Sequence, residues 1–130
     1  MHRNPSRPLS PHWQYWRWGP HMIVSILHRM TGAGLAVVGG IMFVWWLVAA
    51  ASGAESYGRF VECASSWPAI IVWAGLSWAA IQHSLSGIRH FVMDIGAGYE
   101  LSTNRRWAVL TMIGSLLLTL LLWSYILGVR

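Results

Sequence analysis

Residues 30–54, MTGAGLAVVGGIMFVWWLVAAASGA, form an apolar stretch without a single Asp, Glu, Lys or Arg. Two further stretches, 63–88 and 107–129, share this property. A helix that crosses a bilayer needs about 20 apolar residues at about 1.5 Å each, so every stretch is long enough to span a membrane. We therefore predict an integral membrane protein with three transmembrane helices.

The composition of the chain agrees with a membrane protein. Of its 130 residues, 55% are hydrophobic and only 10% are charged, whereas soluble domains carry about 25% charged residues. Allowing for polar helix ends, we predict helices at about 22–51, 67–95 and 106–129. The short loops favour an all-α, up-down-up bundle. The length suits a single membrane-anchor domain, 1–130, with an N-terminal tail, 1–20.

The distribution of arginine predicts how the chain is oriented. All 9 basic residues are arginines, and they lie at the edges of the apolar stretches rather than in one patch. This spread suits contact with membrane lipid and argues against nucleic-acid binding. The tail and the 95–106 loop hold more arginines than the 52–66 loop and the C-terminus, so both should be cytoplasmic. The tail lacks the apolar core of a signal peptide, so we expect it to be retained. Its proline-rich sequence also makes a poor transit peptide, which favours a multi-pass protein of a bacterial inner (cytoplasmic) membrane.

A polar cluster lies near the cytoplasmic end of the first predicted helix. Ser25, His28 and Arg29 are three to four residues apart, which places them on one face of a helix. An arginine at a helix end often extends its guanidinium to lipid phosphate, and this interpretation alone would explain Arg29. The serine and the histidine on the same face favour an anionic or polar ligand instead.

A second polar cluster ends the second predicted helix, and its members are His83, Gly87, Arg89, His90 and Asp94. His83, Gly87 and His90 share a helical face, and His83 lies deepest in the span. A lone histidine in a helix is usually a packed or hydrogen-bonded residue. A histidine that faces a glycine also suits an axial haem ligand, because the imidazole gives iron a nitrogen and the glycine leaves room for the porphyrin.

The two clusters fit one ligand. Haem combines an apolar ring with two carboxylates, so His83 would hold the iron within the membrane. Arg29, with His28 and His90, would pair with the propionates near the cytoplasmic surface. The chain offers only one deep histidine, so a six-coordinate b-type haem would need its second ligand from another subunit.

Small residues recur every four positions on two predicted helices, which places each set on one helical face. They are Gly32, Ala36 and Gly40 on the first helix, and Gly75 and Ala79, continuing to His83 and Gly87, on the second. Packing between helices alone explains the first set. The second set contains a histidine, which packing does not explain.

Two segments resemble signatures of the cytochrome b subunit of succinate dehydrogenase. The first is RPL at 7–9 followed by SILHRMTG at 25–32, and the second is HSLSGIRHFVMDIG at 83–96. Both occur in the expected order and at the expected helix ends, and the length and number of spans match along the whole chain. The resemblance implies that His83 is the axial haem ligand and that Ser25 and Arg29 line the quinone pocket.

The resemblance also implies an assembly. One haem b would be shared with a second small anchor subunit, which supplies the other ligand. A flavoprotein subunit would oxidise succinate and an iron–sulfur subunit would relay the electrons, while the anchor docks them and contributes to reduction of quinone, the substrate. The chain alone has no flavin or dinucleotide fingerprint, cysteine cluster or nucleophile–base pair, so we expect no catalytic residue and a supporting part in succinate:quinone oxidoreductase.

Some questions remain open at the level of sequence. Asp94 matches a signature position, and it and Arg89 are candidates for a proton-transfer or a structural role. An anchor of this kind could lack haem or serve a fumarate reductase, because the sequence does not set the direction of electron flow. A small membrane transporter or structural membrane protein could use the same side chains for a proton path, although transporters more often show repeated halves and broken helices.

Overall fold

The computed structural model describes Ser6 and residues 17–129, and this part of the chain is helical. In chain order the elements are α1 (Pro20–Gly34), a π-helical turn (Leu35–Gly39), α2 (Gly40–Ala51), α3 (Ala54–Ala64), α4 (Trp67–Asp94) and α5 (Leu101–Val129). The RPL motif at 7–9 and most of the predicted tail lie outside the described residues.

The first span combines α1, the π-helical turn and α2 into one helix of 32 residues, Pro20–Ala51. The prediction of 22–51 is therefore confirmed to within two residues at its start. Pro20 occupies the first turn, where its missing N–H leaves no helical hydrogen bond unmade. The π-helical turn, in which one extra residue is accommodated, was not predicted and lies beside the glycines at 34, 39 and 40.

The number of candidate spans depends on how α4 is counted. Pro20–Ala51 and Leu101–Val129 are each long and apolar enough to cross a membrane, and α4 qualifies when it is joined to α3 across a bend of 78°. The second half of α4 carries the polar side chains of Gln82, His83, Arg89 and His90. The described part of the chain thus contains two to three candidate spans, and the all-α membrane bundle is confirmed.

Two predicted boundaries are corrected. Helix α5 begins at Leu101 rather than at 106, because the polar residues before the apolar stretch are also helical. The backbone N–H of Asn104 donates a hydrogen bond to the backbone carbonyl of Glu100 at the start of this helix. The 52–66 loop contains a helix, α3, instead of irregular chain. That helix is held by Phe60, which is buried with its ring edge-on to Trp45 at 4.8 Å between centroids.

Helices α1, α4 and α5 pack against one another in all three pairs, whereas α2 contacts α3 and the π-helical turn only. The interior of this three-helix bundle is small and polar rather than bulky. Its fully or almost fully buried members include Val24, Ala79, Gln82, Ser86, Arg89, Ala108, Thr111 and Ser115. Small side chains allow membrane helices to approach closely, which brings the polar clusters of α1 and α4 together.

Candidate functional site

The imidazole of His83 is fixed by α1, the helix opposite. Its Nδ1 lies 3.0 Å from the backbone carbonyl oxygen of His28. A carbonyl can only accept a hydrogen bond, so this contact selects the tautomer in which Nδ1 carries the proton. Nε2 then keeps its lone pair, and this is how proteins orient histidines that bind metals.

A threonine supports this contact. Thr31 Oγ1 lies 3.3 Å from His83 Nδ1, and 2.7 Å and 3.1 Å from the carbonyl oxygens of Leu27 and His28. The hydroxyl group donates its single proton to the helix carbonyl oxygens, and a lone pair on its oxygen accepts a hydrogen bond from the imidazole N–H of His83. Thr31 is buried, so His83 is oriented by two groups from one turn of α1.

The close approach of His83 depends on a glycine. A Cβ atom at Gly32 would lie 2.8 Å from Cε1 and 3.2 Å from Nδ1 of His83. Real Cβ contacts are not that short, so any side chain at this position would displace the ring. The sequence pattern at Gly32 indicated helix packing alone, whereas in the structure this glycine makes room for the predicted haem ligand.

Three imidazoles form a stack between α1 and α4. The ring of His28 lies 4.0 Å from that of His83 with an angle of 6° between planes, and 4.8 Å from that of His90 at 27°. His90 Nδ1 is 2.7 Å from the carbonyl oxygen of Ser86, one turn back on α4. The buried Nδ1 of His28 has no hydrogen-bond partner within the described residues.

The structure separates the two residues that the resemblance assigns to quinone. Ser25 lines a cavity of about 320 Å³ where the start of α1, the end of α4 and the start of α5 meet, together with Arg89, His90 and Tyr99. Arg29 does not line this cavity. It is exposed and makes no hydrogen bond or ion pair within residues 17–129, so its guanidinium is free to meet a ligand or a partner subunit.

The remaining members of the second cluster take different positions. A Cβ atom at Gly87 would lie 3.9 Å from Cε1 of His28, so this glycine faces the imidazole stack. Arg89 is 9% exposed and donates to Oδ1 of Asn104 at 2.5 Å, which joins α4 to α5. Asp94 is the exposed last residue of α4.

An apolar groove lies between α1 and α4; none of the three imidazoles lines it, but its member Thr31 contacts His83. This groove of about 340 Å³ is lined by Thr31 and by small residues at three further positions, Gly34, Gly75 and Ala79. Two of these, Gly75 and Ala79, belong to the small-residue track predicted on the second helix. The groove and the free Nε2 of His83 are the features that a porphyrin ring with an axial imidazole requires.

Several residues of this site were not predicted. Contacts between helices that are distant in sequence give Thr31, Gly32 and Asn104 their positions in the site. Of these three residues, Thr31 and Gly32 lie inside the first signature segment. Gln82 and Ser86 are fully buried and their side-chain polar atoms have no partner within the described residues. Their spacing of four could have indicated that a polar face of α4 points into the bundle.

The chain is similar to known respiratory proteins along most of its length. The family model for the succinate dehydrogenase/fumarate reductase transmembrane subunit matches residues 3–122. A succinate dehydrogenase cytochrome b556 subunit of Paracoccus denitrificans is 36% identical over 116 residues, which cover 89% of this chain and 88% of the relative. Its counterpart in Rickettsia prowazekii is 34% identical over 117 residues, 90% of each chain.

A eukaryotic relative extends the likeness. The mitochondrial succinate dehydrogenase cytochrome b560 subunit of Mus musculus is 38% identical over 96 residues, which cover 72% of this chain and 56% of the relative. The match to the family model covers both polar clusters, all of α1 to α4, and α5 as far as residue 122. The chain therefore belongs to the family of succinate dehydrogenase/fumarate reductase transmembrane subunits.

Proposed function

We propose that this chain is the membrane anchor of a succinate dehydrogenase, that it holds one haem b together with a partner subunit, and that it contributes to the reduction of quinone. Membership of the family makes it a component of an oxidoreductase complex. The observation that carries the finer proposal is the geometry of His83, whose Nδ1 is engaged by α1 while Nε2 remains free.

The residues around His83 suit a haem. When bound, a bis-histidine haem b supplies one-electron transfer within the membrane. His83 would ligate its iron through Nε2, and the groove lined by Gly75 and Ala79 would receive the apolar ring. His28, His90 and Arg29 would pair with the propionates, since charge-assisted bonds to carboxylates are the strong ones.

The cytoplasmic end of the bundle suits a quinone. The hydroxyl of Ser25 would donate a hydrogen bond to a carbonyl oxygen of the ring from the cavity that it lines. The guanidinium of Arg29, which lies outside this cavity, would have to turn toward the quinone to stabilise the negative charge that develops on its oxygens during reduction. Asp94 and Arg89 remain candidates for a proton-transfer or a structural role.

Two observations support a partner anchor subunit. His83 would supply one axial ligand, while His28 and His90 stack on each other, so we expect the second ligand to come from another chain. Helix α2 makes no contact with α4 or α5 and leaves Ile41 and Val44 largely exposed. The flavoprotein and iron–sulfur subunits would dock on the cytoplasmic side, which we place at the N-terminus of α1 in a bacterial inner membrane.

A second candidate function is an anchor in a fumarate reductase. The family description names both enzymes, whereas the relatives described above are all subunits of succinate dehydrogenase. This difference favours succinate oxidation.

The test is a dithionite-reduced minus oxidised optical spectrum of the complex purified through a tag on this chain. We expect a b-type α-band in the wild type that is lost or shifted in His83→Leu and unchanged in His21→Leu, a matched change at an exposed histidine. An intact, quinone-active wild-type complex without a haem band would leave a haem-free anchor as the better account. Unchanged quinone reductase activity in both Ser25→Ala and Arg29→Leu would refute the quinone assignment.

A further inference from the structure

A groove between α4 and α5 contains none of Ser25, Arg29 and His83, although Arg89, Met93 and Asn104 line both this groove and the Ser25 cavity. The groove has a volume of about 300 Å³, and its wall is almost entirely apolar. The apolar lining includes Leu85, Ile88, Val92, Leu110, Gly114 and Leu118. From Asn104 to Leu118 it follows α5 for about four turns, or about 21 Å. One leaflet of the hydrocarbon core is about 15 Å thick, half of about 30 Å, so the groove is long enough for one acyl chain.

The cytoplasmic end of the groove is polar and positive. Arg89, Asn104 and Trp107 line it there. Leu110 belongs both to the groove and to a shallow basic surface that carries Arg105 and Arg106. Neither lining contains an acidic residue.

Arg89 is a buried cation without a counterion. It is 9% exposed, its Nε has no hydrogen-bond partner among the described residues, and its contact with Asn104 is with a neutral amide. The ion pair found within residues 17–129 is Arg59–Glu55, far away on α3. An ionisable group within a membrane normally has a partner, so a ligand with negative charge would complete this site.

We propose that the α4–α5 groove binds one anionic phospholipid, with an acyl chain along the apolar wall and its phosphate between Arg89 and Arg106. Arg106 lies four residues before Leu110 and therefore on the same side of α5, while Arg105 is turned away by about 100°. Trp107 lies beside this end, where an amphipathic ring stabilises the headgroup region. A lipid satisfies both the apolar groove and the charge at its end, whereas an apolar helix from a partner would leave Arg89 unpaired.

The experiment uses the complete complex, purified in detergent through a tag on this chain and depleted of lipid. Phosphatidylglycerol or phosphatidylcholine is added, native mass spectrometry counts the lipids retained, and thermal unfolding reports their effect on stability. We expect one phosphatidylglycerol to be retained and to raise the melting temperature more than phosphatidylcholine, because a ligand that binds only the folded state stabilises it.

Two pairs of variants locate the binding site. Gly114→Leu fills the groove beside Leu85, where even a Cβ atom would meet Leu85 at 3.7 Å, whereas Gly128→Leu makes the same change in open space. We expect the first to lose the retained lipid and the second to keep it. Arg106→Gln should lower the preference for phosphatidylglycerol about fivefold, the effect of one arginine near an anionic surface, and Arg105→Gln should lower it less.

Three outcomes would overturn the proposal. One is equal retention of the two lipids by the wild type, and another is retention in Gly114→Leu as strong as in Gly128→Leu. The third is displacement of the lipid by an equimolar long-chain quinone, which would assign the groove to an isoprenoid tail. None of these measurements depends on haem or on quinone reductase activity, so failure here leaves the proposed function untouched.

Discussion

Gly32 on α1 and His83 on α4 are in such close contact that a Cβ atom at residue 32 would lie 2.8 Å from Cε1 of the imidazole. The contact places His83 Nδ1 against the His28 carbonyl oxygen at 3.0 Å. The orientation of the predicted haem ligand therefore depends on the absence of a side chain on the neighbouring helix.

We predict that Gly32→Ala displaces the imidazole of His83. Overpacking of this kind lowers the free energy of unfolding by about 1–3 kcal/mol. The altered position of the ring should also weaken the ligation of haem iron by Nε2 of His83. The measurement is the reduced minus oxidised spectrum together with the thermal unfolding of the complex. Gly40→Ala is the control, because nothing lies within 4 Å of a Cβ atom there. Equal spectra and melting temperatures for the two variants would contradict the prediction.

Thr31→Val tests the second contact of His83. Valine keeps the shape of threonine but removes the oxygen that lies 3.3 Å from His83 Nδ1. We expect the main bond to the His28 carbonyl to hold, so the haem band should remain, while the complex loses about 1 kcal/mol of stability. Thr31→Ser should restore the melting temperature. A Thr31→Val complex as stable as the wild type would show that this hydroxyl contributes nothing.

The membrane spans were predictable because a helix that crosses the bilayer contains a long stretch without charged residues. The absence of charge over 30–54 placed the end of the first span at Ala51, where the structure ends it. Helix α3 has no charge-free stretch of this kind, since its 11 residues include Glu55, Arg59 and Glu62. The helix depends on the packing of Phe60 against Trp45, and local sequence patterns do not predict such a tertiary contact.

The site was predictable only in part, for a similar reason. The spacing of His83, Gly87 and His90 was visible as one helical face, and the structure does bring two of these rings together with His28 in a stack. The fit of Gly32 to His83 depends on the register of α1 against α4, across 51 residues of chain. Sequence periodicity reports the face of a helix but not the residue that it meets.

Asn104→Ala is predicted to weaken the packing between the end of α4 and the start of α5. It removes the amide oxygen that accepts from the buried guanidinium of Arg89. A hydrogen bond to a charged group contributes about 1.5–3 kcal/mol, and we expect a loss of that size in the free energy of unfolding. Ser102→Ala, an exposed change in the same turn of α5, serves as the control. If both variants have the same free energy of unfolding as the wild type, Arg89 does not join α4 to α5 in the complex.

The predicted orientation can be tested with the single cysteine of the chain. Cys63 is exposed near the end of α3, in the segment that the arginine distribution places outside the cytoplasm. A membrane-impermeant maleimide added to intact spheroplasts should therefore label the chain, and Cys63→Ser should abolish the labelling. In that background, Ser102→Cys places a thiol at the start of α5, on the cytoplasmic side, and should stay unlabelled in intact spheroplasts. Labelling of Ser102→Cys without permeabilisation, with Cys63 protected, would reverse the topology and move both polar clusters to the outer face.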